Sequence, residues 1–292
     1  MSTPPSSAVV AGVDYPAQHT RAVAWAAQEA VLRDAPLLLV TGWIGAAHGD
    51  AHLLSDGFLQ DGVRRGLDTL AEELERWNPG LKLATAAADA DAHEALQRHS
   101  TGARLLVVGA RGTGGFPGLL VGSTALRIAA TADCPVVIVP GSGSEQPERG
   151  DGQVVAGVDG PDRADACLAF SFEAAQREHA RLRVVHAWHH TLTGGGSDHV
   201  GPLADEARVP AEQDRVLNRL LDQWIERYPQ VRLRPETVHS TPAKYLVALS
   251  QQARLVVVGR HGSPTGPLGR LGSVGQTVVQ YSRCPVAVVP TP

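Results

Sequence analysis

The sequence predicts an α/β fold built twice: two tandem domains, each an open parallel five-stranded sheet with helices on both faces. Three observations carry this prediction. Near-identical segments recur about one domain length apart. Short apolar runs alternate with helical stretches in each copy, the pattern of βαβ units. The same glycine-serine spacing follows the fourth apolar run both times. Residues 9–16 read VVAGVDYP and residues 154–161 read VVAGVDGP, matching at seven of eight positions. RLLVVGARG at 104–112 returns as RLVVVGRHG at 254–262, and CPVVIVP at 134–140 as CPVAVVP at 284–290. The offset grows from 145 to 150, so the second copy carries a five-residue insertion, assigned here to the Gly194–Ser197 stretch. Residues 1–140 form the first domain and 154–292 the second. Residues 141–153, rich in Gly, Ser and Glu, read as a flexible linker.

Within the first copy, Val9–Val13 is a short β-branched run ending in Asp and Pro signals, hence a buried strand. His19–Asp34 is Ala-rich and helical in propensity, and Pro36 stops it. Leu37–Val40 is the second strand. Phe58–Trp77 carries Leu67, Leu70 and Leu74 on one helical face. Leu81–Ala87 is a weaker third strand, Asp91–Ser100 a short helix, and Leu105–Val108 a continuously apolar fourth strand. Gly122–Ala132 is the last helix and Pro135–Val139 the last strand. The second copy repeats the series, with strands at Val154–Val158, Leu182–His186, Val231–Arg234, Leu255–Val258 and Val286–Val289.

Composition bounds the function. Apolar residues make up 43% and charged residues 19%, with a net charge of −4. That fits a globular protein with a substantial core and supplies no basic footprint for nucleic acid. No apolar run is long enough to span a bilayer. The N-terminus reads as a short disordered tail rather than a signal peptide, which places the chain in the cytoplasm. Cys134, Cys167 and Cys284 lack C-x-x-C spacing and read as buried structural thiols. His186, His189 and His190 occur in one copy only and read as solvated loop residues rather than metal ligands. Trp43 and Trp188 match between copies and read as packing residues.

The candidate site is a phosphate loop. Gly109 and Gly112 are followed, nine residues on, by Gly122, Ser123 and Thr124. Gly259 and Gly262 are followed at the same spacing by Gly272, Ser273 and Val274. Glycine leaves no Cβ in the way, so backbone N–H groups can close on an anion. A helix beginning at the Gly-Ser pair adds free N–H groups and a favourable dipole. Arg111, Arg127, Arg260, His261 and Arg270 are near enough in sequence to supply positive charge. There is no Walker-type glycine loop, and Lys82 and Lys244, the only lysines, lie far from the glycines. No G-x-G-x-x-G follows the first strand, which argues against a dinucleotide-type Rossmann site. Asp14 and Asp159 each directly follow a first strand, where a carboxylate can accept hydrogen bonds from ribose hydroxyls.

These motifs together resemble the universal stress protein family in its tandem form, from Val9 to Pro140 and from Val154 to Pro290. The resemblance implies strand order 3-2-1-4-5 and ATP binding by the glycine-motif branch, with Mg²⁺ left open. It implies that Asp14 and Asp159 hold ribose and that Gly42 and Ala187 offer backbone groups to adenine. Gly109, Gly112, Gly122, Ser123 and Thr124, with Gly259, Gly262, Gly272, Ser273 and Val274, would hold phosphates. The family often has His-Val after the second strand. Thr41-Gly42 and His186-Ala187 depart from that, which softens the adenine assignment. Pairing through the last strands would give an intramolecular pseudo-dimer, while dimerisation of whole chains stays open. The expected function is a nucleotide-binding stress or regulatory protein, non-catalytic or at most a slow ATPase, with no catalytic residue and no metal ligand assigned. The alternative is a partner-binding scaffold with a vestigial nucleotide site, its protein partner unknown.

Overall fold

The computed structural model describes residues 7–14, 20–43, 56–112, 120–141, 152–188, 208–261 and 269–291. Residues 142–151 of the 141–153 linker, the Gly194–Ser197 stretch, His189, His190 and Gly262 lie outside the described residues, and Gln153 belongs to the first strand of the second half. In the first half the chain runs β1 (Val9–Gly12), α1 (Arg21–Leu32), β2 (Leu37–Trp43), α2 (Asp56–Trp77), β3 (Leu83–Asp89), α3 (Ala92–Ser100), β4 (Leu105–Gly109), α4 (Ser123–Thr131) and β5 (Val136–Val139). The second half runs β6 (Gln153–Gly157), a 3₁₀ turn at Pro161–Arg163, α5 (Asp165–Arg177), β7 (Leu182–Trp188), α6 (Arg208–Arg227) and β8 (Leu233–His239). It closes with α7 (Pro242–Leu249), β9 (Ala253–Arg260), a 3₁₀ turn at Gly269–Leu271, α8 (Gly272–Tyr281) and β10 (Val286–Pro290).

Local chemistry sets several of these boundaries. Thr20 Oγ1 accepts from the Val23 N–H at 3.3 Å and starts α1. Asp91 accepts from the Glu94 N–H at 2.9 Å and starts α3. α1 and α5 end alike. Asp34 (φ 47°) and His179 (φ 50°) take the left-handed conformation, and the next amides, of Ala35 and Ala180, reach back to Ala30 and Ala175 at 2.9 Å. β3 and β8 begin two residues later than the sequence suggested. Leu81 and Val231 are spent on turns after α2 and α6, their N–H groups bonding Asn78 O at 3.1 Å and Tyr228 O at 3.0 Å.

The two five-stranded units do not stay separate. Their strands form one ten-stranded sheet in the order β3-β2-β1-β4-β5-β10-β9-β6-β7-β8. Pairing is parallel within each half, in the expected 3-2-1-4-5 order, and antiparallel where β5 meets β10, with Val137 opposite Ala287. Both strands are apolar and buried, so joining them removes two edges that would otherwise be open to aggregation. Strand alternation feeds two cores. Val9 and Ala11 face the layer of α1, α2, α5 and α6, while Val10 and Leu106 face that of α3, α4, α7 and α8.

Side chains also bridge the halves. Arg260 Nη1 donates to the carbonyl of Ala132, at the C-terminus of α4, at 2.6 Å. On the other face the Arg33 guanidinium sits 5.5 Å from the Phe170 ring centre and pairs with Glu29 at 3.0 Å, both side chains being almost fully buried. Burial, and then the neighbouring Arg177, lower the Arg33 pKa.

Candidate functional site

In each half the chain order reverses between the first and fourth strands, and the crevice beyond their C-terminal ends is where open α/β sheets bind ligands. The second half holds a cavity of about 200 Å³ at this place. Its floor is Gly157 and Val158 at the end of β6, with Asp159 just beyond. Val185 and Ala187 of β7 form one wall, and Pro242 and Leu246 of α7 cover it. Gly259, His261 and the first turn of α8, Gly272 to Gly275, close the other side. Asp159, Ala187, Gly259, Gly272, Ser273 and Val274 therefore line one space, although up to 115 residues separate them in sequence (274 − 159).

The glycines there have definite work. A Cβ on Gly157 would stand 2.7 Å from Leu246 Cδ1, so its absence lets that leucine reach the floor. A Cβ on Gly259 would stand 2.2 Å from Nε2 of His261, whose ring lies against the bare Cα. Gly272 has φ +70°, a conformation that favours glycine, at the turn into α8. Burial lowers the His261 pKa below its ordinary value; Arg163 acts in the same direction and Asp159 opposes both.

The first half is arranged differently. A cavity of about 340 Å³ brings Asp14, Gly109 and Gly112 together with Thr20, Arg21 and Arg111, towards the start of α1. A Cβ on Gly112 would stand 2.6 Å from Asp14 Oδ2, so this glycine lets the carboxylate settle against the loop. Gly122 caps α4 and donates its N–H to Ala110 O at 2.7 Å, which ties Gly122, Ser123 and Thr124 to the same loop. Gly42 stands apart. It lies within β2, not after it, and a Cβ there would be 2.7 Å from the Cα of Ala92, at the first residue of α3.

The proposed sources of positive charge divide. Arg111 lines the first cavity and His261 the second. Arg260 is turned away to Ala132 O, because the α4 C-terminus offers an unsatisfied carbonyl. Arg127 faces α3, with Nη2 3.2 Å from His93 Nδ1. Thr41 and His186, the departures from the expected His-Val, lie within β2 and β7, so His186 is a strand residue and not a loop one, and they do equivalent structural work. Thr41 Oγ1 donates to Val13 O at 2.8 Å, and His186 Nδ1 lies 3.2 Å from Val158 O. Sequence reasoning missed Pro242 and Leu246, which read only as apolar residues of a helix. It also missed Arg163, which lies in the 3₁₀ turn that begins where the repeated 154–161 segment ends and whose charge acts on His261.

Elsewhere the cysteines are buried, and desolvation pushes their thiols to about 12. The Trp188 ring stacks on His239 with centroids 4.6 Å apart. Among the described residues no group of three His, Cys, Asp or Glu side chains is placed to hold a metal ion, and no helix is long and apolar enough to cross a membrane.

Comparison with known proteins gives a consistent pattern. The model of the universal stress protein family matches residues 6–140 and again 152–290. A universal stress protein of Mycobacterium tuberculosis (strain H37Rv) is 33% identical over 305 aligned residues, covering 97% of this chain and 96% of its own. A crystal structure of a universal stress protein from Archaeoglobus fulgidus shares the fold at TM-score 0.62 and 17% identity, over 97% of this chain and 96% of that one. A universal stress protein from the same organism, solved with dAMP, aligns with 48% of this chain and 98% of its own at 24% identity and TM-score 0.33, too slight a likeness to bear on this chain's ligand.

Proposed function

This chain belongs to the universal stress protein family, and from that premise we propose that it is a regulatory protein that binds an adenine nucleotide, with ATP as the ligand, alone or as its Mg²⁺ complex. One observation carries the reading: the second-half cavity gathers a carboxylate, an apolar slot and a glycine-rich helix start at the point where the strand order reverses. Each part matches a part of the nucleotide. The slot between Ala187, Pro242 and Leu246 suits a flat apolar base. Asp159 suits the ribose hydroxyls, because an ionised carboxylate is an acceptor only. The first turn of α8, which begins at Gly272 and Ser273 and lines the cavity, suits the phosphates through its dipole. His261 stands where a proton on its ring would meet the same charge.

The reading as a regulator, rather than an efficient phosphoryl-transfer enzyme, rests on the lining itself. Asp159 is the only carboxylate among the described residues around the cavity, and phosphoryl transfer needs positioned metal ligands together with a base or water-orienting group. Equilibrium dialysis of the full chain against ATP tests the proposal. Saturable uptake that weakens at least tenfold on Asp159→Ala substitution supports it. No uptake at millimolar ATP overturns it.

A further inference from the structure

We infer that the chain takes a single nucleotide, in its second half, and that the presence or absence of one Cβ at the end of the second strand of each half decides which half has a slot for the base. The inference rests on the nucleotide reading above and sharpens it.

Position 42 and position 187 are equivalent, and the backbone around them is held in the same way. Beyond the strand, the Ala90 N–H bonds Trp43 O at 3.1 Å, and the Ser240 N–H bonds Trp188 O at 3.1 Å. The chain therefore leaves both strands on the same path. The helices seated beyond the two strands differ. In the first half a Cβ on Gly42 would lie 2.7 Å from Ala92 Cα, 2.8 Å from Ala92 N and 2.8 Å from the Asp91 carbonyl carbon. These are backbone atoms, which cannot swing aside as a side chain can. The first turn of α3 sits directly on the strand, in the space a side chain would fill. Asp91 fixes that turn by capping Glu94.

In the second half Ala187 carries the methyl group. α7 starts at Pro242 after Thr241, which makes no side-chain cap. Ala187, Pro242 and Leu246 line one open cavity. The cavity of the first half is consistent with this. It opens towards Thr20 and Arg21 of the α1 side, and no described residue of β2 or α3 lines it. The first-half loop keeps its glycines, but at Gly42 the backbone at the start of α3 occupies the space that a methyl group would fill.

Isothermal titration of the full chain with ATP, and separately with AMP, tests this. The expected result is one equivalent bound per chain for the wild type. Asp159→Asn, with its melting temperature checked against wild type, then leaves no equivalent with comparable affinity. Ala187→Gly, which lets α7 settle onto β7, weakens binding severalfold without creating a second equivalent. Two equivalents in the wild type, or one full equivalent surviving Asp159→Asn, overturn the inference while leaving the nucleotide reading intact. No binding to either nucleotide overturns that reading, and the inference with it.

Discussion

The two halves of this chain share a strand order, a loop spacing and nearly identical first and last strands, yet their crevices differ. In the second half the sequence-marked residues other than Gly262, which lies outside the described residues, line one cavity with Pro242 and Leu246 of α7. In the first, the carboxylate and loop glycines face a cavity beside α1, and α3 closes over Gly42. A duplicated scaffold can therefore carry two differently lined crevices. The sheet is kept by many apolar contacts, each replaceable. A crevice's lining depends on a few atoms at the rim, where a Cβ on Gly42 would meet the backbone of Ala92.

The largest expected effect comes from attacking what the halves have in common. Val137 and Ala287 face each other across the junction and are fully buried. An aspartate at either position leaves a buried charge unpaired, a change that costs about 3–5 kcal/mol. Urea denaturation of Val137→Asp and Ala287→Asp should show losses of that order and of similar size. A large loss in one and none in the other would break the symmetry of the junction.

Differences between the halves give smaller effects. Gly42→Ala drives a methyl group into the backbone of α3, and overpacking of this kind costs about 1–3 kcal/mol. Gly12→Ala meets only side-chain atoms of Val108 and Leu96, the nearest at 3.1 Å, and should cost less in the same assay. Arg260→Ala removes the bond across the halves to Ala132 O, and should cost about 1–2 kcal/mol.

A pH effect separates the two crevices most finely. His261 is held neutral near pH 7 because its folded-state pKa lies below the ordinary value. An anion bound beside it favours the protonated ring and raises that pKa, so binding takes up a proton and tightens as pH falls. A tenfold rise in the proton affinity of the ring is worth about 1.4 kcal/mol, which gives up to about tenfold in nucleotide affinity between pH 7.5 and 5.5. His261→Gln should flatten that slope. Without ligand the sign reverses: the unfolded chain binds the proton more readily, so His261 subtracts stability as pH falls through the ordinary histidine range.

Much of this was legible in the sequence, for identifiable reasons. Continuous apolar runs such as Leu105–Val108 marked the central strands because both of their faces are buried. The pairing of β5 with β10 was an expectation of the family resemblance, to which the two apolar last strands lent support. β3 and β8 were misplaced because they are edge strands with one half-exposed face, where pattern is weak. The loop glycines and carboxylates were visible as a repeated spacing. The contribution of α7 was not, because Pro242 and Leu246 look like any helical apolar residues until α7 is placed. The partner of Arg260 was not legible because that carbonyl lies 128 residues away in the other half. The contrast between Gly42 and Ala187 was plain as letters, but its consequence is steric and needs the position of Ala92.

The most direct measurement is photo-crosslinking of the full chain with an azido-adenine ATP analogue, followed by peptide mapping. The label should fall on peptides containing β7 or the start of α7, around Ala187 and Pro242, and excess ATP should remove it. Equal labelling around Gly42 and Ala92, or labelling that ATP does not displace, would contradict the account.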